Sequence, residues 1–252
     1  YLRIILGGLL ATFYYNLGAS ALRAVGNTRY ALVFLVTAVI LNAALTFVLV
    51  AWFGFGIAGA AWATVFSQGL SAVLCMVYIR KKLPFMVPAR EDMKYDGALL
   101  KKTALFASLS AMHQSSLYLG KFLVQGAVNL LGTASIAAYT ATGRIEGFSL
   151  AVGESSSDAI SVFVAQNMGA GDRKRALKGF LTGLTSLVCL SFFISTLLYI
   201  TAKPGVALFV GEGQREAVTQ GVEYMRYLAF FYVFSYIGSC YVGFYRGTGR
   251  IN

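Results

Sequence analysis

The chain has 252 residues, of which 58% are hydrophobic and 12% charged, and its mean hydropathy is +0.68. A soluble domain carries roughly a quarter of its residues as charges, so a soluble catalytic domain is excluded. An all-α polytopic membrane protein is expected, a transmembrane helix bundle of about seven spans. The net charge of +11 does not imply nucleic acid, because the basic residues sit in short loops between apolar runs, as in membrane proteins.

In chain order, the apolar runs predict spans near 2–22, 31–53, 57–79, 104–130, 135–165, 177–202 and 222–244. Helices are the expected solution, because backbone groups in lipid must be satisfied within the segment. Gly54-Phe55-Gly56 joins the second and third spans, and Leu131-Gly132-Thr133 joins the fourth and fifth. The fifth span is long enough to tilt or break, with Gly147 and Gly153 as places for a bend. The third span opens with small residues four apart, Gly56 with Ala60 and Gly59 with Ala63, a spacing that lets helices approach closely.

One long connection, 81–102, contains Pro84, Pro88 and mixed charges, the composition of a linker. It separates three spans in 1–80 from four in 103–252, and a cytoplasmic place is expected for it. The sequence starts within one apolar run at Tyr1 and ends just after another at Asn252, so a fragment of a longer protein is expected. Cys75, Cys189 and Cys240 lie far apart inside apolar runs. They suggest small core residues rather than a disulfide framework or a zinc site.

Fifteen of the 21 Lys and Arg fall in alternate loops. Arg23 and Arg29 form the first group and the 81–102 connection with Arg80 the second. Arg173, Lys174, Arg175 and Lys178 follow, then Arg246 and Arg250. Basic short loops stay cytoplasmic, which places Tyr1 outside and Asn252 inside.

Polar side chains at membrane depth are costly and mark cavities or partners. The fourth span carries Gln114, Tyr118, Lys121, Gln125 and Asn129 on one helical face, with His113 beside them. That stripe suits either cavity lining or hydrogen bonding between helices. The fifth span carries Tyr139, Thr142, Glu146, Ser149, Gly153 and Ser157 on one face. Glu146 lies deep in the span and could carry a proton, help hold a cation, or pair with Lys121. Glu154 and Asp158, one turn apart, could share a cation or lie solvated near the inner boundary. In the second span Asn42 and Thr46 could line a pathway or bond across helices.

No enzyme motif is present: neither a phosphate loop nor Gly-x-Ser-x-Gly occurs, and the single histidine rules out a His-rich metal site. Asn167-Met168-Gly169-Ala170-Gly171-Asp172 reads as a helix stop followed by a new N-cap at Asp172.

Several stretches together resemble the multidrug and toxic compound extrusion (MATE) family of secondary transporters. They are Leu22-Arg23-Ala24-Val25-Gly26-Asn27-Thr28-Arg29, Asn42, the run Gly56 to Thr64, Ile136-Ala137-Ala138-Tyr139, Arg144-Ile145-Glu146, and above all Ala165-Gln166-Asn167-Met168-Gly169-Ala170-Gly171-Asp172. The resemblance covers nearly the whole chain. It implies two pseudo-symmetric six-helix bundles, of which this chain holds the fourth to tenth spans. Segment 1–80 would be the C-terminal half of the first bundle, 81–102 the linker and 103–252 an incomplete second bundle.

The resemblance further implies export of small organic cations and drugs in exchange for sodium ions or protons, by alternating access in the plasma or inner membrane. Membrane lipid is the expected surrounding and a monomer the expected state, with no cofactor beyond the coupling ion. Many members place a carboxylate in the span that is the fourth here; this sequence has Gln114 there and no acid within 103–131. Glu146, with Asp158 and Glu154, is therefore the expected ion-coupling group. Asn42, Gln114, Tyr118, Lys121, Gln125 and Tyr139 are the expected substrate pathway. Two alternatives remain: a lipid-linked oligosaccharide flippase, which wants a more cationic cavity, and a non-transporting scaffold subunit whose polar stripes are interhelical glue.

Overall fold

Apolar side chains along most of the chain, with Gly, Asn and Asp at the junctions, produce helices over most of the described backbone. The computed structural model describes residues 1–89, 94–211 and 214–249, and no strand occurs among them. The chain divides into two compact units, Tyr1–Tyr95 and Asp96–Asn252.

The first unit contains α1 (Leu2–Gly7), α2 (Leu9–Ala24), α3 (Thr28–Phe47) and α4 (Gly56–Lys82). The span expected as one helix over 2–22 is interrupted at Gly8, whose N–H is shared between the carbonyls of Ile4 and Ile5 at 3.0 Å each. Helix α3 widens into a π-helical turn at Val48–Trp52. The chain then reverses through Gly54 and Gly56, at φ of +66° and +52°. Side-chain-bearing residues rarely adopt that conformation. Gly56 is thus spent on the turn, and of the two small pairs it is Gly59 and Ala63 that are buried. Tyr15, Ala19 and Leu22 of α2 meet Ala31 and Phe34 of α3 and Ala72, Cys75 and Ile79 of α4 to form the core. A short 3-10 turn at Pro84–Met86 ends the unit, and Met86 packs on that core.

The second unit contains α5 (Gly97–Asn129), α6 (Thr133–Gly169), α7 (Arg173–Val210) and α8 (Arg215–Thr248). Helix α5 begins earlier than expected because the Asp96 carboxylate accepts hydrogen bonds from the N–H groups of Ala98 and Leu99, at 2.9 and 3.1 Å. Lys101 and Lys102, expected in the linker, are therefore helical. Arg90, expected in that linker, lies outside the described residues, as does Arg250. Helix α6 runs continuously through Gly147 and Gly153. The glycine-rich turn behaves as its residues dictate: Asp172 Oδ1 accepts from the Arg175 N–H at 2.9 Å and caps α7.

Helices α6, α7 and α8 surround a core of Ile160, Val164, Ala176, Phe180, Leu187, Tyr232, Tyr236 and Cys240. The α6–α8 seam is the closest. A Cβ on Gly243 would stand 2.4 Å from the Ser157 carbonyl oxygen, and one on Gly247 would stand 2.7 Å from that of Ser161. Glycine four apart on α8 thus faces small residues on α6, bringing the backbones together. Helix α5 touches only α6 among the described elements, and none of its residues is buried.

Among the described residues, four stretches are long and apolar enough to cross a membrane: Thr28–Trp52, Gly56–Lys82, Arg173–Val210 and Arg215–Thr248. The other three expected spans differ for identifiable reasons. The first is broken at Gly8 into helices of 6 and 16 residues. Helices α5 and α6, with 33 and 37 residues, have the length but carry the polar stripes.

Candidate functional site

A cavity of about 800 Å³ opens in the second unit between α5, α6 and α8. Helix α5 supplies Gln114, Tyr118 and Lys121, with His113 beside them. These residues reach the cavity because their three- and four-residue spacing keeps them on one face. Helix α6 supplies Tyr139, Glu146, Glu154 and Asp158. Seven expected site residues, from two separate helices, therefore share one wall system.

Two do not. Gln125 is absent from the lining; its side-chain amide donates to Asn129 Oδ1 at 2.8 Å, one turn along the same helix. Asn42 belongs to the first unit and donates to Thr64 Oγ1 at 3.1 Å, tying α3 to α4. Thr64 in turn donates to the Ala60 carbonyl at 3.0 Å. Asn42 is thus committed to a helix–helix bond.

The polar face read on α6 also divides. Thr142 is fully buried and bonds back to the carbonyls of Ala138 and Tyr139, at 2.9 and 3.0 Å. Ser149, Gly153 and Ser157 are buried along the α8 seam, with their edges in the cavity wall. The Tyr236 hydroxyl donates to the Ser149 carbonyl at 2.8 Å, and the Ser149 hydroxyl stands 3.2 Å from the Tyr236 oxygen.

Glu146 is half-buried in the cavity wall. It has no hydrogen-bond or ion-pair partner among the described residues, and of the three possibilities open for it the pair with Lys121 is not formed. Its neighbours include Tyr139 and Tyr224, whose ring centroids are 5.9 Å apart. Asp158 instead pairs with Arg246 of α8 at 3.7 Å, the one ion pair among the described residues. That cation competes for the carboxylate, so Asp158 and Glu154 do not form a free two-carboxylate site. No cluster of three or more His, Cys, Asp or Glu residues suited to a metal ion occurs among the described residues.

The third wall was not foreseen. Tyr224, Ser235, Ser239 and Arg246 of α8 line the cavity. The spacing Ser235, Ser239, Val242, Arg246 is helical and was available in the sequence. It is obscured there by the aromatic run through Phe230, Phe231, Tyr232, Phe234 and Tyr236, which dominates the apolar signal.

Comparison with known proteins places this geometry in a family. The chain is 29% identical over 253 residues to a probable multidrug resistance protein, YpnP, of Bacillus subtilis (strain 168), covering 100% of this chain and 56% of that protein. It is 30% identical over 207 residues to a protein named FAD transporter from Shewanella oneidensis, covering 78% of this chain and 44% of the relative. The chain thus spans about half the length of the curated relatives it matches. Its fold superposes on a crystal structure of MATE in complex with MaL6 with a TM-score of 0.90 at 21% identity, covering 100% of this chain and 56% of that one. The MatE family model matches residues 110–252, the segment that holds all three cavity walls, and the chain belongs to the MatE family.

Proposed function

We propose that the protein exports small organic cations from the cell by alternating access, in antiport with sodium ions or protons across the plasma or inner membrane. The observation that carries this reading is Glu146, a half-buried carboxylate on the wall of the 800 Å³ cavity that has no hydrogen-bond or ion-pair partner among the described residues. A carboxylate at membrane depth is retained where it meets a cation or a proton. Coupling requires that the ion bind one conformation better than the other. A group that is unpaired in the described conformation has that capacity. Gln114, Tyr118, Tyr139 and Tyr224 supply polar and aromatic surface on the same cavity, suited to cations that combine charge with apolar rings.

The cavity lining holds Glu146, Glu154 and Asp158 against Lys121 and Arg246, and Arg246 is engaged by Asp158. This balance favours a cationic cargo over the pyrophosphate of a lipid-linked oligosaccharide. A scaffold role is disfavoured because Gln114, Tyr118 and Lys121 of α5 line open volume and have no hydrogen bond to another helix among the described residues. Lys121, which has no side-chain partner among the described residues, favours a second reading in which the cargo is an anionic organic molecule. The relative named FAD transporter is consistent with that chemistry.

The test is efflux of a fluorescent organic cation from vesicles containing the complete parent protein, under imposed sodium or proton gradients. Gradient-driven efflux that Glu146→Gln reduces to less than about a tenth, with normal insertion, is the expected result. Unchanged efflux in that variant removes Glu146 from the mechanism. Transport of an anionic dye but not a cationic one, lost in Lys121→Gln, would establish the second reading.

A further inference from the structure

A second concavity, of about 620 Å³, lies between the C-terminal part of α7 and the N-terminal half of α8. Tyr199 and Lys203 of α7 face Thr219, Glu223, Arg226 and Tyr227 of α8. The Arg226 guanidinium stacks over the Tyr199 ring, 5.0 Å from its centroid. Neither Lys203 nor Glu223 has a side-chain partner among the described residues. Nothing in the transport reading uses this groove.

Its depth is informative. Helices α7 and α8 contain 38 and 34 residues, about 57 and 51 Å at 1.5 Å per residue. The hydrocarbon core is about 30 Å thick, so each helix extends roughly 10–13 Å beyond it at each end when centred. Lys203 lies seven residues before the end of α7 at Val210, and Arg226 lies eleven after the start of α8 at Arg215. These distances, about 10 and 16 Å, bracket the boundary between headgroups and acyl chains. Tyr199 and Tyr227 suit that level. Phe230, Phe231 and Phe234, 59–71% exposed, continue from the groove toward the hydrocarbon.

We infer that this groove binds the headgroup of a glycerophospholipid from the leaflet at the C-terminal end of α7 and the N-terminal end of α8. Lys203 and Arg226 hold its phosphodiester, Glu223 faces its amine, and the phenylalanines take its acyl chains. Two cations beside one carboxylate complement a phosphoethanolamine better than a phosphoglycerol, which has no amine for Glu223. The four basic residues at the other end of α7, Arg173, Lys174, Arg175 and Lys178, provide an internal control because they are remote from the groove.

The test uses the complete parent protein, delipidated in neutral detergent and titrated with equal amounts of phosphatidylethanolamine and phosphatidylglycerol, with bound lipid read by native mass spectrometry. Wild type is expected to retain phosphatidylethanolamine preferentially. Lys203→Gln with Arg226→Gln is expected to weaken retention about tenfold, Glu223→Gln to erase the preference, and Lys178→Gln to change neither. Retention unchanged in the double variant overturns the proposal. So does displacement of the lipid by millimolar inorganic phosphate, which would mark a free-anion site. If the double variant does not fold, Lys203→Gln alone removes an exposed cation with no side-chain partner among the described residues, and unchanged retention in it is equally decisive.

Discussion

Helix α6 presents two faces with similar polar and small residues and opposite fates. Toward α8, Ser149, Gly153 and Ser157 are buried in a seam so close that Gly243 and Gly247 leave no room for a side chain. Toward α5, Tyr139 and Glu146 border open volume, and α5 itself buries nothing. In a membrane the hydrophobic effect does not distinguish these faces, since lipid tails are as apolar as leucine. What distinguishes them is whether the opposing helix offers small residues that permit backbone approach. Closely packed hydroxyls become structural; hydroxyls and carboxylates held apart remain available to a ligand.

The largest effect that could break this comparison is at the seam. Gly243→Leu should cost more than about 3 kcal/mol, because its Cβ alone would overlap the Ser157 carbonyl. Loss of monodisperse, folded protein on size-exclusion chromatography is the expected readout. A variant that purifies and melts like wild type would mean that the seam is not closely packed.

Tyr236→Phe comes next. It removes the donor to the Ser149 carbonyl and strands the Ser149 hydroxyl, and should cost about 1 kcal/mol, read as a lowered thermal midpoint in detergent. The matched change on the open side is Gly126→Ala in α5, where an added Cβ meets nothing within 4 Å. It should leave stability unchanged or raise it by up to about 1 kcal/mol through helix propensity; a clear loss would show that α5 packs on that face. The smallest effect is Asp158→Asn. The pair with Arg246 is 3.7 Å long and its carboxylate is 61% exposed, so the change should alter the melting free energy by no more than about 0.5 kcal/mol.

Much of the cavity lining was legible in the sequence. Gln114, Tyr118 and Lys121 share a face because the helical period is a local property, and the same holds for Tyr139 and Glu146. Gln125 and Asn42 had equally good spacing and were lost to partners, one within its own helix and one on the next. No periodicity distinguishes a polar side chain that meets a hydrogen-bond acceptor from one that meets a cavity. The break at Gly8 and the α8 wall were missed for a related reason. One is a single turn of altered hydrogen bonding, and the other is a sparse polar stripe among many aromatic residues.

The sequence by itself determined the helical class, the turns at Gly54–Gly56 and before Asp172, and the face on which each polar residue lies. Hydropathy, capping at Asp172 and the tolerance of Gly54 and Gly56 for positive φ are short-range physics. Only the tertiary structure decided which polar face is buried, that Asp158 is paired with Arg246, and that Glu146 has no hydrogen-bond or ion-pair partner among the described residues. Those outcomes depend on which atoms of distant helices come within about 3–4 Å of one another, and helix approach is set by complementary small residues on both partners, which no single segment contains.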